Sequence, residues 1–188
     1  MRVSSGVQEL SERGGLKTSL AVAPLVTEIL KGYRLPVRGT HGVVHWARVL
    51  ENGLRIAERT GADTRVVTLF AIFHDSRRVN ENHDRNHGRR GSELARSMRD
   101  QLDLDDIAFA LLTKACDLHT DGLTRADVTI QACWDADRLD LGRAGIEPEP
   151  DKLCTDAGRD LIAWASKRAS SDHEPPFVIK WLQPARDI

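Results

Sequence analysis

The sequence has few of the features that would staple, anchor or extend a chain without a core. It holds three cysteines in 188 residues, Cys116, Cys133 and Cys154. Their scatter excludes a disulfide framework and fits a reducing compartment, with the thiols as small buried apolar groups. No apolar run approaches the roughly 18 residues of a membrane helix. The opening Met1-Arg2-Val3-Ser4-Ser5-Gly6 lacks the apolar region of an export signal. These absences lead to the expectation of a cytoplasmic protein with no membrane partner. Aromatic residues make up only 5% of the chain, and evenly spaced alternating Val/Ile/Thr runs are missing, which excludes a sandwich or barrel. An excess of one charge is also missing: 27 Lys and Arg face 28 Asp and Glu, a net charge of -1. That balance excludes a broad footprint for long nucleic acids, though not a small basic pocket.

Helical periodicity is what the chain does have. An apolar stretch from Thr18 to Lys31, with Pro24 near its start, reads as a first helix. Val43, Ala47, Leu50, Leu54 and Ala57 then recur on one face of a helix from Gly42 to Arg59, stopped by Gly61. Residues 66–73 are apolar all round and suit a buried strand or helix equally; Asp63 as an N-cap and the helical neighbours favour a helix. A polar excursion over 76–86 follows, and Gly91, Leu94, Ala95, Met98 and Leu102 mark the next stripe. Asp103 with Asp106 looks like a capped start for a helix carrying Leu104, Ala108, Leu111, Leu112 and Ala115. Asp121-Gly122 is a turn. Further helices are expected from Thr124 to Leu141, closed by Gly142, and from Thr155 to Ala169. The expected organisation is a flexible N-terminus over 1–16, one all-α domain over 17–170 and a Pro-containing tail over 171–188.

Six ionisable residues lie where apolar neighbours point. His119 stands four residues after Ala115 and seven after Leu112. His87 begins the stripe of Gly91 and Leu94, and Asp137 follows Cys133 by four. His45 shares a face with Val49 and Ile56, and His74 with Asp75 ends the apolar run. Burying one unpartnered polar group costs about 1–3 kcal/mol, and a charge costs more. A shared cation would satisfy all six at once. Imidazole and carboxylate suit iron, manganese, zinc, nickel or cobalt, while the lack of a close Cys pair disfavours structural zinc.

The segments carrying these residues resemble one family. His41-Gly-Val-Val-His-Trp-Ala-Arg-Val49 resembles the opening helix of the HD superfamily of metal-dependent phosphohydrolases, Leu69-Phe-Ala-Ile-Phe-His-Asp75 its His-Asp doublet, and Ala136-Asp137-Arg138-Leu139 its late Ala-Asp motif. The resemblance covers residues 40–142 and implies an HD-type helical bundle. It implies His45, His74, Asp75 and Asp137 as core metal ligands. His45 is preferred to His41 because Val49 lies four residues on, and Asp137 to Asp135 because of the Ala-Asp-Arg-Leu match and the apolar stripe. Asp135 is expected to support the site or face solvent, and His41, His83 and His173 to lie at the surface. Asn86-His87-Gly88 and Cys116-Asp-Leu-His119-Thr120 resemble segments of two-metal members, which implies His87 and His119 on a second ion with Asp75 bridging.

The resemblance further implies a catalytic Asp75 and one or two divalent transition-metal ions per chain. Many members read His-Asp-Ile-Gly-Lys where this chain reads His74-Asp75-Ser76-Arg77-Arg78, so Arg78 stands in the lysine's place as a phosphate clamp, with Arg77 and Arg89 as weaker candidates. The segment through Asn80, Asn82, His83, Asp84 and Arg85 is expected to face substrate. The implied activity is hydrolysis of a phosphoester or phosphoanhydride in a small nucleotide-like molecule. The same ligands serve diiron oxygenases of the superfamily, and a non-catalytic nucleotide-sensing module is the third alternative.

Overall fold

The computed structural model describes residues 22–171, 173–176 and 178–183. The expected flexible segment 1–16 lies outside them. Among the described residues the chain is all-helical: eight α-helices, three short 3-10 helices and no strand. The α-helices are α1 (Ala23–Leu30), α2 (Val43–Thr60), α3 (Thr64–Phe73), α4 (His87–Ser97), α5 (Asp106–Leu118), α6 (Val128–Arg138), α7 (Asp156–Ser170) and α8 (Val178–Leu182). None is long and apolar enough to cross a membrane.

The ambiguous segment 66–73 is a helix, and it is the axis of the fold. Asp63 caps it by accepting a hydrogen bond from the Arg65 backbone N–H. Every residue from Val66 to Phe73 is buried, because α3 is packed by α2, α4, α5 and α6 at once. A helix surrounded in this way has no polar face to spare, which explains the lack of periodicity. Its C-terminal end, and therefore His74 and Asp75, falls at the centre of the bundle.

The long helix α2 lies against α3, α6 and α7. Val43, Ala47, Leu50 and Ala57 of its predicted stripe are buried, with Leu54 packed at the margin. Gly61 closes it in the left-handed conformation, φ 75°. Asn52 crosses from α2 to donate to the Ala136 carbonyl at 3.0 Å, fixing the register of α2 against α6.

Several boundaries differ from the sequence expectation. The cap of α5 is Asp105, which accepts from the Ala108 N–H at 2.8 Å, and not Asp103. Leu102 and Leu104 are both buried, and α4 gives way after Ser97 to a 3-10 turn over Arg99–Gln101. Helix α6 begins at Val128, capped by Asp127, and ends at Arg138. Beyond it the chain tightens into a 3-10 helix over Leu141–Ala144 that ends on Gly145, φ 74°, so Gly142 is not the stop. Thr155 caps α7 through Gly158 N–H. After residue 170 the chain carries the short helix α8, whose Val178 and Trp181 are buried. It packs on α1 and α2; five residues are too few for a periodic signal to show in sequence.

The approach of α4 to the end of α3 requires glycine. A Cβ on Gly91 would lie 2.3 Å from the Phe73 carbonyl oxygen and 3.0 Å from that of His74. Both contacts are with backbone, which cannot rotate away. Gly91→Ala is therefore expected to destabilise the protein by about 1–3 kcal/mol, the scale of overpacking, read as a lower urea midpoint with an unchanged slope.

Candidate metal centre

Four histidines meet at the end of α3, each supplied by a different element. His45 lies in the first turn of α2 and His87 begins α4, while His74 and His119 are the C-caps of α3 and α5. Each Nδ1 faces an atom that can only accept a hydrogen bond. His45 Nδ1 donates to Asp140 Oδ2 at 2.7 Å, and His74 Nδ1 to the Phe70 and Ala71 carbonyls at 3.1 Å each. His87 Nδ1 donates to the Asp84 carbonyl at 2.5 Å and His119 Nδ1 to that of Cys116 at 2.8 Å. The proton of each neutral ring is thereby assigned to Nδ1, and each Nε2 presents a lone pair.

Those lone pairs point at one another. His45 Nε2 lies 3.0 Å from His74 Nε2, and His87 Nε2 lies 2.8 Å from His119 Nε2. With both protons on Nδ1, neither contact is a hydrogen bond. Asp75 and Asp137 complete the arrangement. Asp75 Oδ2 is 3.5 Å from His45 Nε2 and 3.8 Å from His74 Nε2, and Asp137 Oδ1 is 3.4 and 3.7 Å from the same nitrogens. The other oxygen of Asp75, Oδ1, is 3.1 Å from His87 Nε2 and 3.9 Å from His119 Nε2. His45, His74 and Asp75 thus form one group able to hold a metal, and Asp75, His87 and His119 a second. Donors about 2.1 Å from a common ion lie ~3.0 Å apart at right angles and ~3.4 Å apart at tetrahedral angles, so these spacings fit an ion in each group. All six residues singled out in sequence converge here, and Asp75 faces both groups.

The electrostatics match a ligand set. Burial pushes the His74 pKa down to about 3, and burial likewise lowers that of His87, so both rings stay neutral at physiological pH. Burial opposes the charge on Asp75, but His74, His45 and His87 outweigh it and keep the carboxyl well below its ordinary value. The same balance, with His74 as the largest favourable partner, holds Asp137 at about 2. Asp137, with 18% of its side chain exposed against 0–7% for the other five, marks where solvent reaches the centre.

Sequence reasoning missed the support around His45. Asp140, 1% exposed, joins His45 Nδ1 to Arg48 Nε, the latter at 2.6 Å. Arg143 Nη1 lies 3.8 Å from the same carboxylate. The available signal was spacing for Arg48, which follows His45 by three residues in α2, within one helical turn; Asp140 lies past the end of α6 and gave none.

The remaining expectations divide. Asp135 neither supports the centre nor faces solvent. It is fully buried and accepts from the Cys154 and Thr155 N–H groups and the Thr155 hydroxyl, holding the entry to α7. His83 is exposed. His41 is only half-buried and pairs with Glu81 at 2.5 Å on the rim of the centre, and His173 is half-buried against Arg168 and Glu51, since each has a charged partner drawing it inward. Asp84 does not face substrate: it is buried, accepting from Val79 N–H at 2.8 Å and pairing with Arg90 at 2.5 Å.

Arg78 is 7% exposed, and its donors are largely committed. Nη2 donates to the Asn82 carbonyl at 2.6 Å, Nε to that of Asn80 at 3.4 Å, and Nη1 to Asp75 Oδ1 at 3.4 Å. Nη1 also lies 3.3 and 3.2 Å from the two nitrogens of His87. Near-equal distances place it against the face of the ring, where a cation is attracted to the π system, and leave the Nε2 lone pair clear. Arg77 and Arg89 do not reach the centre. Arg77 bonds the Ile29 and Ser76 carbonyls, and Arg89 pairs with Glu93 at the surface.

No protein-family model matches the chain, and no curated protein matches it. Among solved structures it is similar to the crystal structure of a predicted HD superfamily hydrolase from an uncultured Thermotogales bacterium. The TM-score is 0.58 and the identity 24%, over 94% of this chain and 97% of that one. The likeness shows the fold, an HD-type helical bundle.

Two outcomes follow from the geometry. Asp140→Ala removes the acceptor that orients His45 and should weaken metal affinity about 10–100-fold, read by metal content after dialysis, while Asp140→Asn keeps an acceptor and most of the affinity. Without metal the centre is also a source of acid lability. His74 takes up a proton near its ordinary value of 6.5 when unfolded but only near 3 when folded. Stability of chelator-treated protein should therefore fall as pH drops below 6.5, by up to about 1.4 kcal/mol per pH unit for this one proton, measured as thermal midpoints from pH 7.5 to 5.

Proposed function

We propose that the chain is a metal-dependent phosphohydrolase of the HD superfamily, acting on a phosphoester or phosphoanhydride in a small nucleotide-like substrate. The observation that carries this reading is the pair of facing Nε2 contacts with a carboxylate split between them. Such a set is costly to bury unless cations occupy it. Imidazole and carboxylate donors without thiolate suit iron, manganese, zinc, nickel or cobalt.

A divalent transition-metal ion at such a site acidifies water toward neutrality and draws charge from a phosphoryl oxygen. The residues do the rest. His45, His74 and Asp137, with Asp75 Oδ2, would hold the first ion, and His87, His119 and Asp75 Oδ1 the second. Asp75 would hold both sets in one frame. Asp140 and Arg48 keep His45 in its Nδ1–H form. Arg78, pinned by two carbonyls, is a prearranged positive charge beside Asp75 that favours charge build-up on a phosphoryl group; with most of its N–H groups committed, it acts by position rather than as a free two-pronged clamp. Asp137, the most exposed of the six, marks the side from which substrate would approach.

The reading is tested by a phosphate-release screen of nucleotides and dinucleotides with fully metallated protein. Phosphate release is expected from at least one, abolished in Asp75→Ala. Full metallation with no phosphate released and oxygen consumed instead would overturn it in favour of an oxygenase. His119→Ala should lose about one ion per chain by elemental analysis while the first site stays filled; unchanged stoichiometry would leave a one-metal centre. Arg78→Ala should keep the metal and slow turnover by about 2–4 kcal/mol in barrier, with partial rescue by Arg78→Lys.

A further inference from the structure

Beyond the metal centre, on the outer side of Arg78, lies a pocket of about 360 Å³ whose wall includes Gly32, Arg34, Arg77, Arg78, Arg90 and Glu93. Four guanidinium groups face one carboxylate there, and that carboxylate already pairs with Arg89. The neutralisation of the four is uneven. Arg78 has Asp75 and Arg90 has Asp84. Among the described residues, no carboxylate lies in ion-pair reach of Arg34 or Arg77.

Arg77 is half-buried, yet it is held only by neutral acceptors. Its Nη1 donates to the Ile29 carbonyl at 3.0 Å and the Ser76 carbonyl at 2.9 Å. Its Nη2 lies 2.9 Å from where a Cβ on Gly32 would stand, so the lack of a side chain at Gly32 makes room for the guanidinium at the pocket wall. Nε and Nη2 of Arg77 and all five N–H groups of Arg34 have no hydrogen-bond acceptor among the described residues. Two unneutralised guanidinium groups side by side repel each other, and a planar fork of free N–H donors matches the oxygens of a phosphate.

We propose that this pocket is a phosphate-class anion site, distinct from the metal centre and sharing only Arg78 with it. Arg34 and Arg77 supply the free donors, Arg90 braces the wall through its bonds to Asp84 and the Arg77 carbonyl, and Arg78 carries charge from the pocket to Asp75. The anion has two possible sources. It is either free phosphate, or the far phosphate of a molecule whose other phosphate lies at the metal centre. Only the second source rests on the proposed function.

Equilibrium titration of the metal-loaded full-length protein tests this without turnover. The probes are inorganic phosphate and methylenediphosphonate, whose P–C–P bridge resists hydrolysis. Arg34 is exposed, so Arg34→Glu should fold normally; it is expected to weaken phosphate binding at least ten-fold with metal content unchanged. His74→Ala, which impairs the centre and any phosphate held there, should keep one phosphate site, and Arg34→Glu added to it should weaken that site at least ten-fold. A diphosphonate weakened by both variants identifies the far phosphate of a bridging ligand; one weakened by Arg34→Glu alone identifies a free anion. No phosphate binding to wild type, or binding lost in His74→Ala and unchanged in Arg34→Glu, overturns the proposal.

Discussion

Two pairs of imidazole nitrogens face each other with lone pair toward lone pair, and the rest of the bundle is arranged to keep them there. Among the described residues nothing satisfies the contacts at 3.0 and 2.8 Å. Each ring is locked by its far nitrogen, three of them to carbonyls of the chain just before the histidine. For His74 and His119 the end of a helix supplies such a carbonyl, Ala71 and Cys116, since the last turn leaves carbonyls without backbone partners. Placing histidine at a C-cap thus solves two problems at once: it uses an orphan carbonyl and fixes a tautomer.

The packing follows from the same requirement. The His74-Asp75 pair reaches the middle of the molecule only because α3 is short, apolar on every side and wrapped by four helices. Helix α4 must then approach closely enough to bring His87 into reach, and its glycines allow it: a Cβ on Gly88 would meet the Cys116 carbonyl and His119 ring, as one on Gly91 would meet the end of α3. Charge is balanced locally. Asp75 has Arg78, and Asp140 has Arg48 and Arg143, so two buried carboxylates are each matched by guanidinium before any ion is considered.

Much of the site was legible in sequence because histidine and aspartate on an apolar stripe break a rule that core residues otherwise keep. Spacing brought out His45, His87, His119 and Asp137, and the end of an apolar run brought out His74 and Asp75. What spacing could not separate was function from structure among polar residues of similar pattern. Asp135 and Asp137 are two apart on one helix and so face different neighbours, one the entry to α7 and the other the centre. Asp140 follows the end of α6, where the chain changes to a tighter helix and the 3.6-residue count no longer applies. Arg78 could be placed by register with a family lysine, but its commitment to the Asn80 and Asn82 carbonyls depends on how a polar loop folds back.

By itself the sequence determined the helical class, the stripes that face inward, the caps at Asp63 and Gly61, and six residues that needed a common explanation for their burial. These are local matters: side chains three and four apart share a face whatever surrounds the helix, and a polar group among apolar ones carries its cost in any fold. Only the tertiary structure decided which nitrogen of each histidine faces the centre, that Asp75 divides its two oxygens between two groups, and that Arg34, 43 residues before Arg77 in sequence, shares a pocket with it. Those facts depend on distances between elements remote along the chain, set by how closely backbones pack, and no periodicity within one element encodes them.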